Sequence, residues 1–448
     1  MTLLVVSPDY ASHLVPLLTI ATRRAGERVV VATGPATRPL VEAAGFEHVE
    51  LRLGRGSNPG IIRAEQQPVG EDDNLRRFFA ATRDGMVATL RYQADARRDD
   101  LLWDPVRVGR RLLDVVNAVE PDEILVDHLA FGATLALRAA RIPYGDVVLG
   151  HPTALPVGRE VYGCPERWPA AFDGEVDAAA LADLRRRCEE VRDGFTAAYN
   201  AAMKALAPIA AEVDDAFAAH GDVVFHNYPA ELHDPARTAL LPPHVFLGSS
   251  VRAEEPDDEV AAWLAGSGCA GDRPIVYVAF GTFLSQRADV LARVAEALRM
   301  LDVGVAMATG SADPAALGAL PGEWLVRSHL PQVALLQQAA VAVTHGGNNS
   351  VTEALTAGVP MLVLPFSTDQ FVGAADVERH GVGVASAPNS ATPGEIADAV
   401  TALLDGPART VAASLSARLG CNAVNQLTSL QPRAGSGAGL SAGGAARR

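Results

Sequence analysis

The residues best suited to chemistry lie between positions 340 and 365, where small and polar residues follow an apolar run. The segment reads, in order, AVAVTHGGNNSVTEALTAGVPMLVLP. Its first apolar run ends at Val343. A Gly-rich turn and a helical stretch follow, and Gly358 and Pro360 close that stretch before the next apolar run. This order predicts a strand, a turn, a helix and a second strand.

A helix that begins after this turn would direct its free N–H groups and the positive end of its dipole at whatever lies above the strand ends. Such a corner favours an anion, for example a diphosphate. Asn349 and Ser350 are suitable N-cap residues. His345 could add either a hydrogen-bond donor or a positive charge. The segment is therefore a candidate phosphate-binding corner.

The same alternation of apolar runs and helical periods predicts the elements that must position this corner. In the first part of the chain the predicted strands are 3–6, 28–32, 46–51, 123–126, 144–149, 223–226 and 245–248, and the predicted helices are 13–25, 37–44, 106–119 and 131–141. A second series begins at 275–280 and runs to about residue 406. Such alternation predicts parallel, doubly wound sheets that bind ligands at the carboxyl ends of their strands.

Four segments break this alternation. Residues 52–105 and 151–219 are long excursions with some helix. Residues 249–274 are polar and Gly-rich, which is typical of a linker. Residues 432–448 are a low-complexity run of Gly, Ala and Ser, which is typical of disorder.

Composition narrows the possible classes of protein. The chain has 448 residues, of which 49% are hydrophobic and 20% charged, and this is enough for two or three domains. The net charge of −15 argues against a general nucleic-acid binder, which needs clustered positive charge to contact phosphates. A small anionic ligand is still compatible with it, because a local dipole and a few donors can override the overall field.

The cysteines and the apolar runs indicate the compartment. The four cysteines are far apart and form no Cys-x-x-Cys pair, so we expect free thiols in a reducing environment. The N-terminus begins directly with an apolar strand, and no apolar run approaches about 20 residues. We therefore expect neither secretion nor a membrane span, and a cytoplasmic location.

Four short motifs occur in order between residues 329 and 370. They are His329-x-Pro331-Gln332, His345-x-Gly347-x-Asn349-Ser350 with Glu353 behind it, Gly358-Val359-Pro360, and Asp369-Gln370. Together they resemble the nucleotide-sugar signature of the family-1 glycosyltransferases. The resemblance implies the GT-B fold, an α/β architecture in which two Rossmann-like, doubly wound parallel-sheet lobes face each other across a cleft.

The resemblance also divides the chain into domains. It implies an N-terminal acceptor-binding lobe at 1–248, a linker at 249–274, and a nucleotide-sugar-binding lobe at 275–415. It further implies a C-terminal helix at 416–431 that packs back on the first lobe, ahead of the tail at 432–448.

In the first lobe the resemblance points to His13, which lies in Ser12-His13-Leu14-Val15-Pro16. The family places a His three residues before a Pro there, and that His removes the proton of the acceptor hydroxyl. An imidazole suits this role, because its pKa is about 6.5 and the positive end of a helix would hold it neutral. Asp127 is implied to accept the other ring N–H and to stabilise the imidazolium. The alternatives are that His13 only caps its helix or forms a local hydrogen bond, and that Asp127 only caps the following helix. We expect His128 to be structural or to line the acceptor pocket.

In the second lobe the resemblance implies a set of donor-binding residues. His329 takes the place of a Trp that stacks on uracil in many UDP-using members, and Gln332 is implied to reach the base or the ribose. Glu353 is implied to bind ribose hydroxyls, and Asp369 and Gln370 to bind the sugar. The implied phosphate ligands are Thr282 (in a Phe-Gly-Thr turn), His345, Gly347, Asn349 and Ser350. A helix-dipole role for Glu353 and a helix cap at Asp369 are the competing explanations.

The implied reaction is an inverting transfer from a nucleoside-diphosphate sugar to a small, aromatic or polyketide-like natural product. Asn349-Ser350 favours UDP over dTDP. No Asp-x-Asp occurs in the chain, so we expect no metal bridge to the diphosphate and no cofactor beyond the nucleotide sugar as co-substrate. We expect no nucleic-acid partner and a monomer or homodimer. The alternatives are a nucleotide-sugar epimerase of the same fold and a non-catalytic nucleotide-sugar-binding protein.

Overall fold

The computed structural model describes residues 1–24, 26–60, 71–267 and 273–426, and these ranges contain two parallel β-sheets with helices on both faces. None of the helices within these ranges combines the length and the apolar character that crossing a bilayer requires. The sheets belong to two lobes that face each other across a cleft. The predicted architecture is confirmed.

The first sheet has seven strands in the order β3-β2-β1-β4-β5-β6-β7, and its described pairings are parallel. Its strands are Thr2–Val6 (β1), Arg28–Thr33 (β2), Glu47–Glu50 (β3), Glu123–Asp127 (β4), Gly145–Val148 (β5), Val223–His226 (β6) and His244–Phe246 (β7). The second sheet has six strands in the order β10-β9-β8-β11-β12-β13. Its strands are Ile275–Ala279 (β8), Gly304–Ala308 (β9), Leu325–Arg327 (β10), Val341–Thr344 (β11), Met361–Val363 (β12) and Gly383–Ala385 (β13).

Helices connect these strands and cover both faces of each sheet. Those before the linker are Ala11–Thr22 (α1), Arg38–Ala43 (α2), Glu71–Asp84 (α3), Met86–Leu101 (α4), Pro105–Val119 (α5), Phe131–Ala140 (α6), Ala178–Leu206 (α7) and Pro235–Thr238 (α8). Those within and after it are Asp258–Ala262 (α9), Gly281–Leu284 (α10), Ala288–Leu298 (α11), Gln332–Leu336 (α12), Asn348–Thr356 (α13), Gln370–Arg379 (α14), Pro393–Asp405 (α15) and Ala408–Gln426 (α16).

The apolar runs form strands because helices bury them from both sides. Leu3, Leu4, Val5 and Val6 of β1 are each 0% exposed, and β11 is buried along its whole length. A strand that is covered on both faces needs no polar side, so it appears in the sequence as an unbroken apolar run. This is why the strands nearest the cleft were predicted within one or two residues of their observed bounds.

The first excursion, predicted at 52–105, contains two helices that reach the second lobe. The rings of Phe78 and Phe79 in α3 lie 5.0 and 5.2 Å from the ring of Phe283 in α10. The buried guanidinium of Arg287 donates to the carbonyl oxygen of Thr82 over 3.2 Å. The excursion therefore joins the two lobes. The second excursion is dominated by α7, whose 29 residues close the outer face of the first lobe.

The linker differs from its prediction, because part of 249–274 belongs to the second lobe. Val260 and Trp263 are buried in the core of that lobe, and Trp263 Nε1–H donates to the carbonyl of Glu323 over 2.9 Å. Burying an indole removes a large apolar area from water, so this end of the linker is fixed to the second lobe.

The C-terminal helix begins earlier than its predicted bounds of 416–431. Helix α16 starts at Ala408, and Ala412, Leu415 and Leu419 are buried in the core cluster that contains Leu355 of α13. These side chains pack on the second lobe. The end of the predicted helix at 427–431 and the tail at 432–448 lie outside the described residues.

Candidate active site in the cleft

The cleft lies at the carboxyl ends of the strands in both sheets. In each sheet the chain reverses its direction of winding, between β1 and β4 in the first lobe and between β8 and β11 in the second. Open α/β sheets bind ligands at such switch points, because the neighbouring loops diverge there and leave a crevice. The cavity has a volume of about 1080 Å³ and is lined from both switch points. Every predicted site residue except Thr282 also lines it. Thr282 lies in α10, and only its backbone is described.

The pairing of β1 with β4 brings His13 and Asp127 together. Val6 is in register with Val126, so the loop after β1 and the end of β4 meet at the same sheet edge. The Nδ1–H of His13 donates to Oδ2 of Asp127 over 2.7 Å. Oδ1 of Asp127 accepts the backbone N–H of Leu129 over 2.9 Å. The carboxylate thus contacts the imidazole, as predicted, and also caps the turn before α6.

The environment of His13 favours its charged form. Burial alone would lower its pKa, but the charge and hydrogen bond of Asp127 and the charge of Asp369 outweigh burial and raise the pKa above 6.5. The His13 side chain is 24% exposed, whereas that of Asp127 is 1% exposed. Since Asp127 occupies Nδ1, the nitrogen left for a substrate in the cleft is Nε2.

The predicted phosphate corner forms at the start of α13, with one correction. Gly347, and neither Asn349 nor Ser350, is the N-cap residue, and no side chain caps the helix. Asn349 lies in the first turn and its Nδ2–H donates to the carbonyl of Ser12 in the first lobe over 3.0 Å. Ser350 lines the cleft. The predicted caps are wrong because the helix starts at Asn348, which leaves its first N–H groups directed at the cleft.

His345 lies against two glycines at this corner. A Cβ on Gly347 would come within 2.4 Å of the His345 Nε2, and a Cβ on Gly281 within 2.9 Å of its Cε1. Burial lowers the pKa of His345 to about 4, although the charge of Asp369 opposes the shift. His345 is therefore neutral near pH 7. A neutral ring supports the predicted hydrogen-bond donor over the predicted positive charge.

Gly347→Ala is expected to displace the His345 ring and to weaken nucleoside-diphosphate binding about tenfold, since crowding of this size costs about 1–3 kcal/mol. Isothermal titration with UDP and with dTDP would measure the loss. Gly322→Ala is the matched control, because a Cβ there meets no atom within 4 Å. Unchanged affinity in Gly347→Ala would show that the ring does not contribute to this corner.

The predicted ribose ligand Glu353 is buried and its carboxylate is already engaged. Arg252 Nη1–H donates to Oε1 over 2.9 Å, and the amide of Gln332 donates to Oε2. Burial raises the pKa of Glu353, while Arg252 and Gln332 oppose the shift. Tyr277 O–H donates to Oε1 of Gln332 over 3.3 Å.

His329 is exposed at the rim of the same side of the cleft. The sequence analysis missed Arg252, because it lies in the polar linker without a motif.

Asp369 precedes α14, but its side chain caps no backbone N–H of that helix. Its Oδ2 accepts the backbone N–H of His151 in the first lobe over 2.6 Å, and its Oδ1 accepts Thr368 O–H over 2.9 Å. The helix-cap explanation is therefore wrong for this carboxylate. Asp369 thus lines the cleft where the two lobes meet, and its charge acts on both His13 and His345.

Gln370 uses its side-chain amide within its own loop. Its Oε1 accepts the backbone N–H groups of Phe366 and Ser367 over 3.0 and 3.2 Å, and Nε2–H donates to the Ser367 hydroxyl over 3.2 Å. The residue lines the cleft but is buried. These bonds shape the loop that carries Asp369, and direct contact of Gln370 with a sugar stays a prediction.

A buried carboxylate that the sequence analysis missed joins the lobes beside this loop. Asp376 in α14 accepts hydrogen bonds from three groups of the first lobe. They are His151 Nε2 at 2.9 Å, Tyr228 O–H at 3.0 Å and Arg167, whose Nη2 lies at 2.7 Å. Burial would raise its pKa, but His151, Arg167 and Arg379 lower it to about 2. No motif indicates these contacts, because they join residues that are far apart in the chain.

Fold and site together define a two-lobed α/β protein whose cleft carries a His–Asp pair on one side and the candidate phosphate-binding corner on the other. Residues 220–417 match the family model "UDP-glucoronosyl and UDP-glucosyl transferase". The chain is 27% identical over 421 residues to 4'-demethylrebeccamycin synthase of Lentzea aerocolonigenes. The matched region covers 90% of this chain and 92% of that protein.

Two solved structures share the fold. The kitacinnamycin glycosyltransferase superposes with a TM-score of 0.65 at 21% identity, over 95% of this chain and 97% of that one. The glycosyltransferase VinC, solved with dTDP, gives a TM-score of 0.64 at 19% identity, over 96% of this chain and 99% of that one. The GT-B fold is thereby confirmed. The chain is a glycosyltransferase, as its motifs predicted, and it is similar to the family-1 type.

Proposed function

We propose that this glycosyltransferase moves a sugar from a nucleoside-diphosphate sugar to a small natural-product acceptor, with inversion at the anomeric carbon and without a metal ion. The observation that carries the proposal is the His13–Asp127 pair, which shares one cleft with the phosphate corner at His345. A base on one lobe and an anion site on the other are what a displacement of diphosphate by a hydroxyl group requires.

The geometry supports a single displacement. The acceptor hydroxyl gives its proton to Nε2 of His13 as its oxygen forms a bond to the anomeric carbon. The bond from that carbon to the phosphate oxygen breaks, and the diphosphate leaves with the electron pair. Attack from the face opposite the leaving group inverts the carbon. Asp127 stabilises the imidazolium that forms, because it already accepts the Nδ1–H over 2.7 Å.

The leaving diphosphate gains charge as the bond breaks. The N–H groups at the start of α13 and the neutral imidazole of His345 are suited to stabilise that charge, since donors that are already oriented need not reorganise. The absence of an Asp-x-Asp in the sequence supports a reaction that uses these donors in place of a metal. Asp369, between the two halves, is suited to accept hydroxyl groups of the sugar.

UDP is the favoured nucleotide, with dTDP second. The Asn349-Ser350 pair and the match to a family model named for UDP-sugar enzymes support UDP. The dTDP in the VinC structure makes dTDP the second candidate. A natural-product acceptor is supported by the name of the Lentzea relative and by a cleft of about 1080 Å³, at the upper end for small-molecule sites.

Thermal-shift titration with UDP, dTDP and GDP tests the donor half of the proposal. We expect UDP to raise the unfolding temperature most and His345→Ala to remove most of the effect. His380→Ala, on a histidine of the same lobe that does not line the cleft, is the matched control. Indifference to all three nucleotides would contradict the proposal. Conversion of a nucleotide sugar into its epimer in the absence of any acceptor would identify an epimerase instead.

A further inference from the structure

The side of the cleft lined by the first lobe contains an arginine without a countercharge. Arg97, in α4, lines the cleft. Among the residues that the structure describes, it forms no ion pair and no hydrogen bond, and its Nε is buried without a partner. A guanidinium carries five donors, and leaving a buried one unpaired is unfavourable. A ligand that accepts hydrogen bonds would satisfy it.

A tyrosine holds the Arg97 side chain in place. The guanidinium carbon of Arg97 lies 4.7 Å from the centre of the Tyr162 ring. That ring stacks on Phe217 with centroids 4.3 Å apart and an angle of 8° between the planes. Tyr162 is presented by a tight turn in which Gly163 has a φ of +83°, a conformation that favours glycine. The cation is therefore oriented before any ligand binds.

Tyr162 adds a second donor at the same place. No hydrogen bond to its hydroxyl is formed within the described part of the chain. Burial and the charges of Asp369 and Asp127 raise the pKa of Tyr162, while Arg97 opposes the shift, so the phenol keeps its proton. Tyr162 and Arg97 line the same cleft as His13 and Asp127, the candidate reaction centre.

The acidic groups on this side of the cleft are already paired with other residues. Asp127 pairs with His13, Glu160 with Arg237 at 2.7 Å, and Glu166 with Arg185 at 3.1 Å. The other arginine that lines the cleft, Arg252, pairs with Glu254 and Glu353 in the donor half. Within the described residues, Arg97 is the cleft cation whose charge no carboxylate balances. The chain as a whole, with a net charge of −15, offers an anion no general attraction.

We propose that Arg97, with the Tyr162 hydroxyl beside it, binds a carboxylate of the acceptor, and that the natural acceptor therefore carries a carboxylic acid group. A planar guanidinium matches a carboxylate with two parallel hydrogen bonds, and this pairing is stronger than one between neutral groups. The identification of the ligand as an acceptor rests on the proposed function. The carboxylate-binding subsite itself rests only on the geometry of Arg97 and Tyr162.

Paired acids and esters test this subsite without knowledge of the natural acceptor. The probes are 4-hydroxybenzoate and 6-hydroxy-2-naphthoate, each with its methyl ester, titrated into the full chain with and without saturating UDP. We expect each acid to bind at least about tenfold more tightly than its ester, as a charge-assisted hydrogen bond provides. Arg97→Gln is expected to reduce the ratio to about one, and Tyr162→Phe to reduce it in part because the ring remains.

Arg91→Gln is the matched control, because Arg91 is an exposed arginine of the same helix whose partner is Asp183. UDP affinity is expected to be unchanged in all three variants. Equal binding of acid and ester by the wild type, or no binding of either, overturns the proposal, as does an unchanged ratio in Arg97→Gln. A loss of UDP affinity in Arg97→Gln would reassign the cation to the donor phosphate. Failure of the proposed function would appear separately, as the absence of any UDP binding by the wild type.

Discussion

Replacing His13 with alanine is expected to lower the rate of sugar transfer by about 10²–10⁴-fold, the usual contribution of a positioned general base. The variant should still bind nucleoside diphosphate, because the phosphate corner belongs to the other lobe. Transfer measured by mass spectrometry and UDP binding measured by titration would separate the two effects. His220→Ala is a control from the same lobe, on a histidine whose Nδ1 contacts the Gly221 carbonyl away from the cleft. Retained turnover in His13→Ala would remove His13 from the mechanism.

The pH dependence of the same reaction gives an independent test. A general base works only when it is unprotonated, and the pKa of His13 lies above 6.5. The value of kcat/KM should therefore rise with pH, through an inflection above 6.5. Asp127→Asn should move that inflection to lower pH, because burial then lowers the pKa with only the charge of Asp369 opposing it. A purely structural role of Asp127 would reduce activity without moving the inflection.

Replacing Asp376 with alanine is expected to lower the free energy of unfolding by about 3 kcal/mol, near the lower end for a broken buried ion pair. The variant leaves His151 and Tyr228 buried without their acceptor. The lower end applies because Arg167 is 30% exposed and can be solvated. Urea unfolding would measure the loss. Asp398→Asn, at an exposed carboxylate of the same lobe, should change stability by no more than about 0.5 kcal/mol.

The contribution of Asp376 has a defined pH window. Its pKa is lowered to about 2 in the folded protein, from an ordinary value of 3.8. The stabilisation is therefore complete above pH 3.8 and is lost as the pH falls towards 2. Asp376→Asn should flatten the stability profile within this window. An Asp376→Ala variant as stable as the wild type would show that the lobes do not depend on this carboxylate.

The same variant should also affect the donor. Asp376 holds the ring of His151, and the backbone N–H of His151 holds Asp369 over 2.6 Å. Loss of Asp376 should therefore raise the KM for the nucleotide sugar more than it weakens the binding of free UDP, which lacks the sugar.

Much of the site could be predicted because its residues follow strands. His13, Asp127, Thr282 and His345 lie at or just beyond the ends of the two central strands of their sheets. Parallel strands that are buried on both faces leave an unmistakable apolar pattern, and residues at their carboxyl ends must meet at the ligand-binding edge. The phosphate corner could be recognised for the same reason, since its strand, turn and helix are continuous in sequence.

Electrostatic properties could not be predicted in this way. The sequence left His345 as either a donor or a cation, and only its burial decides that it is neutral. Likewise, Gln370 is a polar residue within a donor motif, but its amide is used by the backbone of its own loop. A motif gives residue types and spacing, whereas the pKa and the free hydrogen-bonding capacity depend on neighbours from elsewhere in the chain.

By itself, the sequence determined two doubly wound lobes, the His13 and Asp127 positions at one switch point, and the Gly-rich turn at the other. These properties are local, because they depend on periodicity and on residues next to strand ends. The tertiary structure alone decided which first-lobe groups complete the second-lobe site. The His151 N–H on Asp369 and the His151 ring on Asp376 join residues more than 200 positions apart. The tertiary structure also decided that Arg97 is unpaired within the described residues. Whether a charge is balanced depends on the residues that the fold places around it.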